Sequence, residues 1–355
     1  MPKVRVLVVE DSLTVRKRLC EVLARDPGVE VVGEAGDGRR AIELCQELRP
    51  DIITLDMMLP VMSGLAATEY IMAHCPTPIL VVSASTNRGE IFKTYEALAA
   101  GAVDVLEKPR GDEADGEWEQ RFISTVKLVA RILVITHVRA RLKPSLRPDA
   151  YVSSITQSPT RRIEAVAIGA STGGPAAIVD LLRGLPPEFS LPLLFVLHIS
   201  SVFSGGFADW LDGQTGRRVA FAKDGEPLAS AVGRVVMAPP EMHLVLRGGR
   251  FRLTRDPERH SCRPSVDVLF ESVASELGPA AAGCLLTGMG RDGAAGLLQI
   301  RRAGGMTIAQ DEATSVIYGM PREAVLLGAA ERVLPLDGIA RAIALLDLKS
   351  KGHAS

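Results

Sequence analysis

Residues 4–25 read VRVLVVEDSLTVRKRLCEVLAR, and a change of period inside that stretch sets the fold class. Val4 to Val9 is a short β-branched run suited to a buried strand, and Glu10-Asp11 closes it. From there to Arg25 the apolar residues Val15, Leu19, Val22 and Leu23 recur at helical spacing, so a strand hands over to an amphipathic helix (Val15 to Arg25). The pattern repeats downstream. Val29 to Val32, Asp51 to Leu55, Ile79 to Ser83 and Val103 to Leu106 are predicted strands with amphipathic segments between them. Strict alternation of this kind implies a flavodoxin-like, five-stranded parallel sheet covered by helices on both faces, with function collected at the carboxyl ends of the strands.

Residues 117–139 are predicted as one further long helix. The segment 139–162, RARLKPSLRPDAYVSSITQSPTRR, is polar, carries three prolines and has no period, which marks a linker. Alternation resumes at Ile163, giving a second, doubly wound α/β domain. Arg234 to Thr254, rich in strand formers around Pro239-Pro240 and Gly248-Gly249, is predicted as an inserted β-hairpin. The expected organisation is therefore a domain over 1–138, a linker over 139–162 and a second domain over 163–348.

The 355 residues, 47% hydrophobic and 23% charged, have an ordinary globular composition, and a net charge of -1 gives no electrostatic footprint for nucleic acid. Five cysteines are scattered without a CxxC pair, which speaks against a zinc framework or a disulfide scaffold and for a reducing compartment. The start MPKVRVLVVEDS lacks a leader pattern, and the apolar stretch Leu128 to Val138 is short and broken by Arg131 and His137. A cytoplasmic protein, not embedded in a membrane, is expected.

Chemistry gathers at two places. In the first half, Glu10 and Asp11 close the first strand, Asp56 the third, Ser83 the fourth and Lys108 the fifth, so a parallel sheet should bring them to one rim. Three carboxylates suit Mg²⁺, a carboxylate such as Asp56 can accept a phosphoryl group, and Lys108 can neutralise its charge. In the second half, GASTG at 169–173 fits G-x-S-x-G, a turn that can raise a serine as nucleophile or cradle a phosphate at a helix N-terminus. No P-loop lysine follows. Of the six histidines, His198 ends the run Leu193 to Leu197 and should lie at the strand end beside Ser171, whereas His243 and His260 read as structural. Asp292 sits on the turn TGMGRDGAAG after Ala282 to Leu286, where it can orient an imidazole or cap the following helix.

Residues 1 to about 138 resemble response-regulator receivers, through VVEDS, TLDMMLPVMSG, VVSAS and LEKP in that order. The whole chain resembles the chemotaxis protein-glutamate methylesterase (CheB) family through IGASTGGPAA, HISSVFSGGFADWL, MAPPEMHLVL, RPSVDVLF, TGMGRDGAAGL and AQDEATSVIYGMPREA. The resemblance implies phosphorylation of Asp56 by a chemotaxis histidine kinase, Mg²⁺ held by Glu10, Asp11 and Asp56, and sensing of the phosphoryl group by Ser83 and Lys108. It implies Ser171 as nucleophile, His198 as base and acid, Asp292 as orienting carboxylate, the Met289 amide as oxyanion donor and Thr172 in support, with no cofactor in the esterase domain. The implied substrates are glutamate methyl esters, and also glutamines, on the cytoplasmic helices of methyl-accepting chemoreceptors. The unphosphorylated receiver is expected to restrict access to Ser171. Four positions depart from the usual pattern: Glu10 for Asp, Val105 for an aromatic residue, Leu197 for Gln and Ser200 for Pro. The rival reading is a phosphorylation-dependent binding module whose esterase-like domain is inactive.

Overall fold

The computed structural model describes residues 2–84, 88–109, 116–132 and 162–351. The chain divides into two compact units between Arg141 and Leu142. In the first, β1 (Val4–Val9), β2 (Val29–Ala35), β3 (Ile52–Leu55), β4 (Ile79–Ser83) and β5 (Asp104–Glu107) form a parallel sheet in the order β2-β1-β3-β4-β5. Register pairs Val9 with Leu55 and Ser83 with Glu107, so the residues that follow each strand emerge at one rim. The first helix, Leu13–Ala24, begins two residues before the periodic run, because the Ser12 hydroxyl accepts from the Val15 N–H and caps it. It buries Leu19, Val22 and Leu23 as the spacing requires.

The helix expected over 117–139 is observed as Glu117–Val129, anchored by Trp118, which stacks on Phe122 and donates its indole N–H to the Glu107 carbonyl. It ends at Val129, and residues 133–139, like all but the last residue of the expected linker, lie outside the described residues.

In the second unit, β6 (Ala165–Ala170), β7 (Leu193–Leu197), β8 (Arg218–Phe221), β9 (Arg234–Met237), β12 (Ala281–Leu285), β13 (Met306–Gln310) and β14 (Arg332–Leu334) make one parallel sheet, ordered β14-β13-β12-β6-β7-β9-β8. Strands β10 (His243–Arg247) and β11 (Arg250–Thr254) pair separately and antiparallel. The inserted hairpin is thus shorter than the sequence suggested. Arg234–Met237 pairs in parallel with β7 and β8, and its Val235, Val236 and Met237 are buried. Pro239-Pro240 lies between that strand and the hairpin, where prolines cannot donate to a ladder. The hairpin itself turns on Gly248 and Gly249, both at positive φ as a two-residue turn demands.

Strands β6, β7 and β12 are buried at every position, which is why they read as unbroken apolar runs. The helix Val266–Leu277 packs Val266, Leu269, Phe270 and Val273 into this core. Among the described residues no helix is long and apolar enough to cross a membrane.

Candidate active site

In the second unit the sheet order places β6 between β12 and β7, and register aligns their ends: Ala170 faces Leu197, and Gly169 faces Leu285. Ser171 follows β6, His198 follows β7 and Asp292 follows β12. The His198 N–H donates to the Ala170 carbonyl at 3.0 Å, and the Ser171 N–H to Thr287 at 3.0 Å, locking the three strand ends together. After Ser171 the chain turns through Gly173 (φ 76°) into the helix Gly174–Gly184. That glycine occupies the left-handed region, and a Cβ there would also lie 2.5 Å from Val316. The turn is a strand-to-helix elbow with a half-buried serine at its apex.

His198 Nε2 stands 3.0 Å from Asp292 Oδ2, an ion-pair contact without the alignment of a hydrogen bond. The other ring nitrogen, Nδ1, lies 3.9 Å from Cys262 Sγ. Among the described residues no hydrogen bond joins His198 to Ser171. Burial disfavours a charged imidazole here, but the Asp292 carboxylate and the Cys262 sulfur outweigh it and raise His198 to about 9.

Asp292 is buried and does not cap the helix it precedes, Ala294–Arg302, whose N-cap is Gly293. Its carboxylate instead accepts from Ser265 Oγ (2.8 Å), the Val266 N–H (2.7 Å) and the Asp267 N–H (3.1 Å), at the start of the helix Val266–Leu277. Asp267 returns the favour by accepting from the Gly296 N–H at 2.6 Å. Two helix N-termini thus face two carboxylates, a favourable setting for negative charge. Burial works to raise Asp292, but His198, Ser265 and the Val266 N–H hold it below the ordinary carboxylate value. Burial and the neighbouring Asp292 charge keep Asp267 above that value.

The other expected members sit close by. Met289 is exposed on the turn after β12, and Thr172 is buried, its carbonyl accepting from Thr287 Oγ1. Thr287, the first residue of TGMGRDGAAG but given no role from sequence, ties the site together: its N–H donates to Gln310, its hydroxyl accepts from the Ile317 N–H, and its carbonyl holds Ser171. His243 is structural as expected, fully buried, with Nε2 on the Pro257 carbonyl and Nδ1 accepting from the Ser265 N–H. His260 makes a 3.1 Å contact with Asp267 and receives a hydrogen bond from Arg291. A cleft of about 520 Å³ opens onto His198, His260, Cys262, Met289, Arg291 and Asp292. Leu197, the last residue of β7, is buried against Gly174, and the carbonyl of the exposed Ser200 accepts from Phe203 and Ser204 at the start of a short helix.

Gly288 fixes how near the β12 turn comes to the serine. A Cβ there would lie 2.8 Å from Ser171 Cβ and 2.4 Å from Met320 Sδ. Gly288→Ala is therefore expected to displace the serine and reduce hydrolysis by about a hundredfold, since misplacement by an ångström has effects of that size. A steady-state assay showing less than about a threefold loss would contradict the tight fit.

In the first unit, Glu10, Asp11 and Asp56 each present a carboxylate oxygen within 4.8 Å of the other two. Lys108 Nζ bridges Glu10 (2.7 Å) and Asp56 (2.8 Å). Burial opposes the Lys108 charge, but the two carboxylates raise it above its usual value; burial also raises Glu10. Ser83 Oγ is buried with no hydrogen-bond partner among the described residues. Hard oxygen ligands beside an unpaired hydroxyl and a lysine fit Mg²⁺ and a phosphoryl group. Val105 on β5 is buried.

Residues 166–343 match the family described as CheB methylesterase, and residues 6–114 match the response regulator receiver domain. Over 342 residues the chain is 45% identical to protein-glutamate methylesterase/protein-glutamine glutaminase 2 of Anaeromyxobacter dehalogenans, covering 96% of each chain. It is 42% identical over 350 residues to protein-glutamate methylesterase/protein-glutamine glutaminase 4 of Geobacter metallireducens, covering 98% of this chain and 99% of the relative. The crystal structure of the Thermotoga maritima CheB methylesterase catalytic domain is 34% identical, covers 52% of this chain and 98% of its own, and superposes with a TM-score of 0.49. With its two parts matched in order and its length spanned by such relatives, the chain belongs to the CheB methylesterase family, with a response regulator receiver domain ahead of the esterase domain.

Proposed function

We propose that the protein is a phosphorylation-activated hydrolase that removes methyl esters from glutamate side chains of methyl-accepting chemoreceptors and deamidates receptor glutamines. The observation that carries this reading is the meeting of Ser171, His198 and Asp292 at three adjacent strand ends, with His198 3.0 Å from Asp292. Ser171 Oγ attacks the ester carbonyl while His198 takes its proton, and His198 returns that proton to the departing methoxide. Methanol leaves, and water activated by His198 releases the acyl group from Ser171. Asp292 orients the imidazole and stabilises its charged form. The Met289 amide supports the oxyanion, and Thr172 the turn. The Ser171–His198 hydrogen bond forms only as substrate binds, as catalytic hydrogen bonds commonly do.

As the base, His198 must be uncharged. With its value raised to about 9, kcat/KM rises with pH and levels off only above about 9. A profile flat from about pH 7 to about pH 10 would contradict this assignment.

The receiver spans 1–138, a linker 139–162 and the methylesterase domain 163–348. Asp56 accepts the phosphoryl group from a chemotaxis histidine kinase. Glu10, Asp11 and Asp56 would hold Mg²⁺, which when bound neutralises charge on the transferring group. Ser83 and Lys108 then contact the phosphoryl oxygens, and phosphorylation shifts the chain to its active form. A small-molecule phosphoryl donor is expected to raise methanol release from methylated receptors by more than about tenfold in the intact chain, and by less than about twofold in Asp56→Asn. Equal stimulation of both would remove Asp56 from the account. The work is done in the cytoplasm, on the cytoplasmic helices of the receptor.

One observation favours the rival reading of an inactive, phosphorylation-dependent binding module: both His198 nitrogens face Asp292 and Cys262. Methanol release by the intact chain separates the two.

A further inference from the structure

Cys262 has no part in the proton relay, yet its sulfur faces the base. It comes from a segment 64 positions away in sequence, is half-buried, and stands 3.9 Å from His198 Nδ1. His198, Cys262 and Asp292 each present one ligand atom within 4.8 Å of the other two. Nitrogen, sulfur and a single carboxylate oxygen make a borderline-soft donor set. It suits zinc, whereas magnesium and calcium prefer oxygen throughout. With a thiolate and a carboxylate, a zinc ion is neutralised by its own ligands.

Zinc–ligand bonds of roughly 2.0–2.3 Å place tetrahedral ligands roughly 3.3–3.6 Å apart, so the set closes with a shift of about an ångström. Rotation about the Cα–Cβ bond of Cys262 moves the sulfur that far, and because the sulfur faces Nδ1 and the carboxylate Nε2, the His198 ring also turns to point one nitrogen between them. Asp292 is already oriented for the purpose by Ser265 Oγ and the Val266 N–H, the outer-shell support that metal-binding carboxylates need. His198, Cys262 and Asp292 all line the cleft of about 520 Å³, which gives the ion a path from solvent and leaves a fourth position open to water.

We propose that His198, Cys262 and Asp292 form a zinc site and that zinc switches the hydrolase off. On binding, the Cys262 thiol gives its proton to solvent, and the His198 lone pair goes to the metal instead of the Ser171 proton. Metal binding stands independently of the catalytic reading, whereas the inhibition rests on it.

Cobalt(II) reports the site, because a thiolate ligand gives a charge-transfer absorption in the near ultraviolet. The full-length protein in excess Mg²⁺, together with its Ser171→Ala, Cys262→Ala and Cys262→Ser variants, is titrated with cobalt and then with zinc. The expected result is a one-equivalent thiolate band in the intact chain and in Ser171→Ala, displaced by zinc and missing from both Cys262 variants. No band in the intact chain, or an equal band in the Cys262 variants, overturns the site. In the methanol-release assay, zinc should slow the intact chain by at least about tenfold, reversibly with a chelator. The ratio of rates with and without zinc should return to within about twofold of unity in the Cys262 variants. An equal ratio in all of them overturns the switch. A Cys262-dependent band combined with undiminished hydrolysis by Ser171→Ala upholds the site and overturns the catalytic reading instead.

Discussion

Ser171→Ala is expected to lower methanol release from methylated chemoreceptors by a factor on the order of 10⁴ to 10⁶ while leaving the fold intact. The two halves of that expectation have different sources. The backbone of Ser171 is structural: its N–H donates to Thr287, and its carbonyl accepts from Gly174 at 2.6 Å. Its hydroxyl makes no hydrogen bond among the described residues, so deleting one half-buried oxygen should change stability by less than about 0.5 kcal/mol. The rate depends on that oxygen because it is the proposed nucleophile, carried on the strand-to-helix elbow. Residual activity within about tenfold of the parent, at unchanged Tm, would remove Ser171 as nucleophile.

The second large effect separates folding from chemistry at one residue. Asp292→Ala leaves the Ser265 hydroxyl and the Val266 and Asp267 amides without their buried acceptor. At about 1–3 kcal/mol for each unmet donor, with some relief from rotation of the serine, the loss of stability is about 3–5 kcal/mol. Asp292→Asn keeps one oxygen for those donors and should lose only about 1–2 kcal/mol. It removes the negative charge that steadies the His198 cation, however, so hydrolysis should still fall on the order of 10⁴-fold. Denaturant unfolding and initial rates on the pair check both parts. An asparagine variant that recovers the rate along with the stability would mean that Asp292 is only a structural acceptor.

Much of this was readable from sequence because parallel strands are buried on both faces and end in the residues that matter. Ala165–Ala170, Leu193–Leu197 and Ala281–Leu285 announce themselves as apolar runs, so sequence alone places Ser171, His198 and the turn bearing Asp292 at strand ends. The same logic placed Glu10, Asp11, Asp56, Ser83 and Lys108 on one rim. Local signals failed where tertiary pairing decides. Arg234–Met237 has the β-branched composition of a hairpin arm, and only its pairing with β7 and β8 shows it to be a sheet strand. Asp292 precedes a helix and looks like its cap, but its acceptors are used by a different helix. Cys262 carries no motif of its own, and Thr287, although it opens TGMGRDGAAG, shows no role in that pattern. They matter through neighbours such as Thr172, 115 positions away from Thr287, and His198, 64 positions away from Cys262.

The most direct test of the central claim is to label the intact protein with a serine-directed fluorophosphonate and locate the adduct by peptide mass spectrometry. The account predicts one adduct, on Ser171, formed more slowly as pH falls and lost in His198→Ala. An adduct on Cys262 or another residue, with Ser171 unmodified, would contradict it.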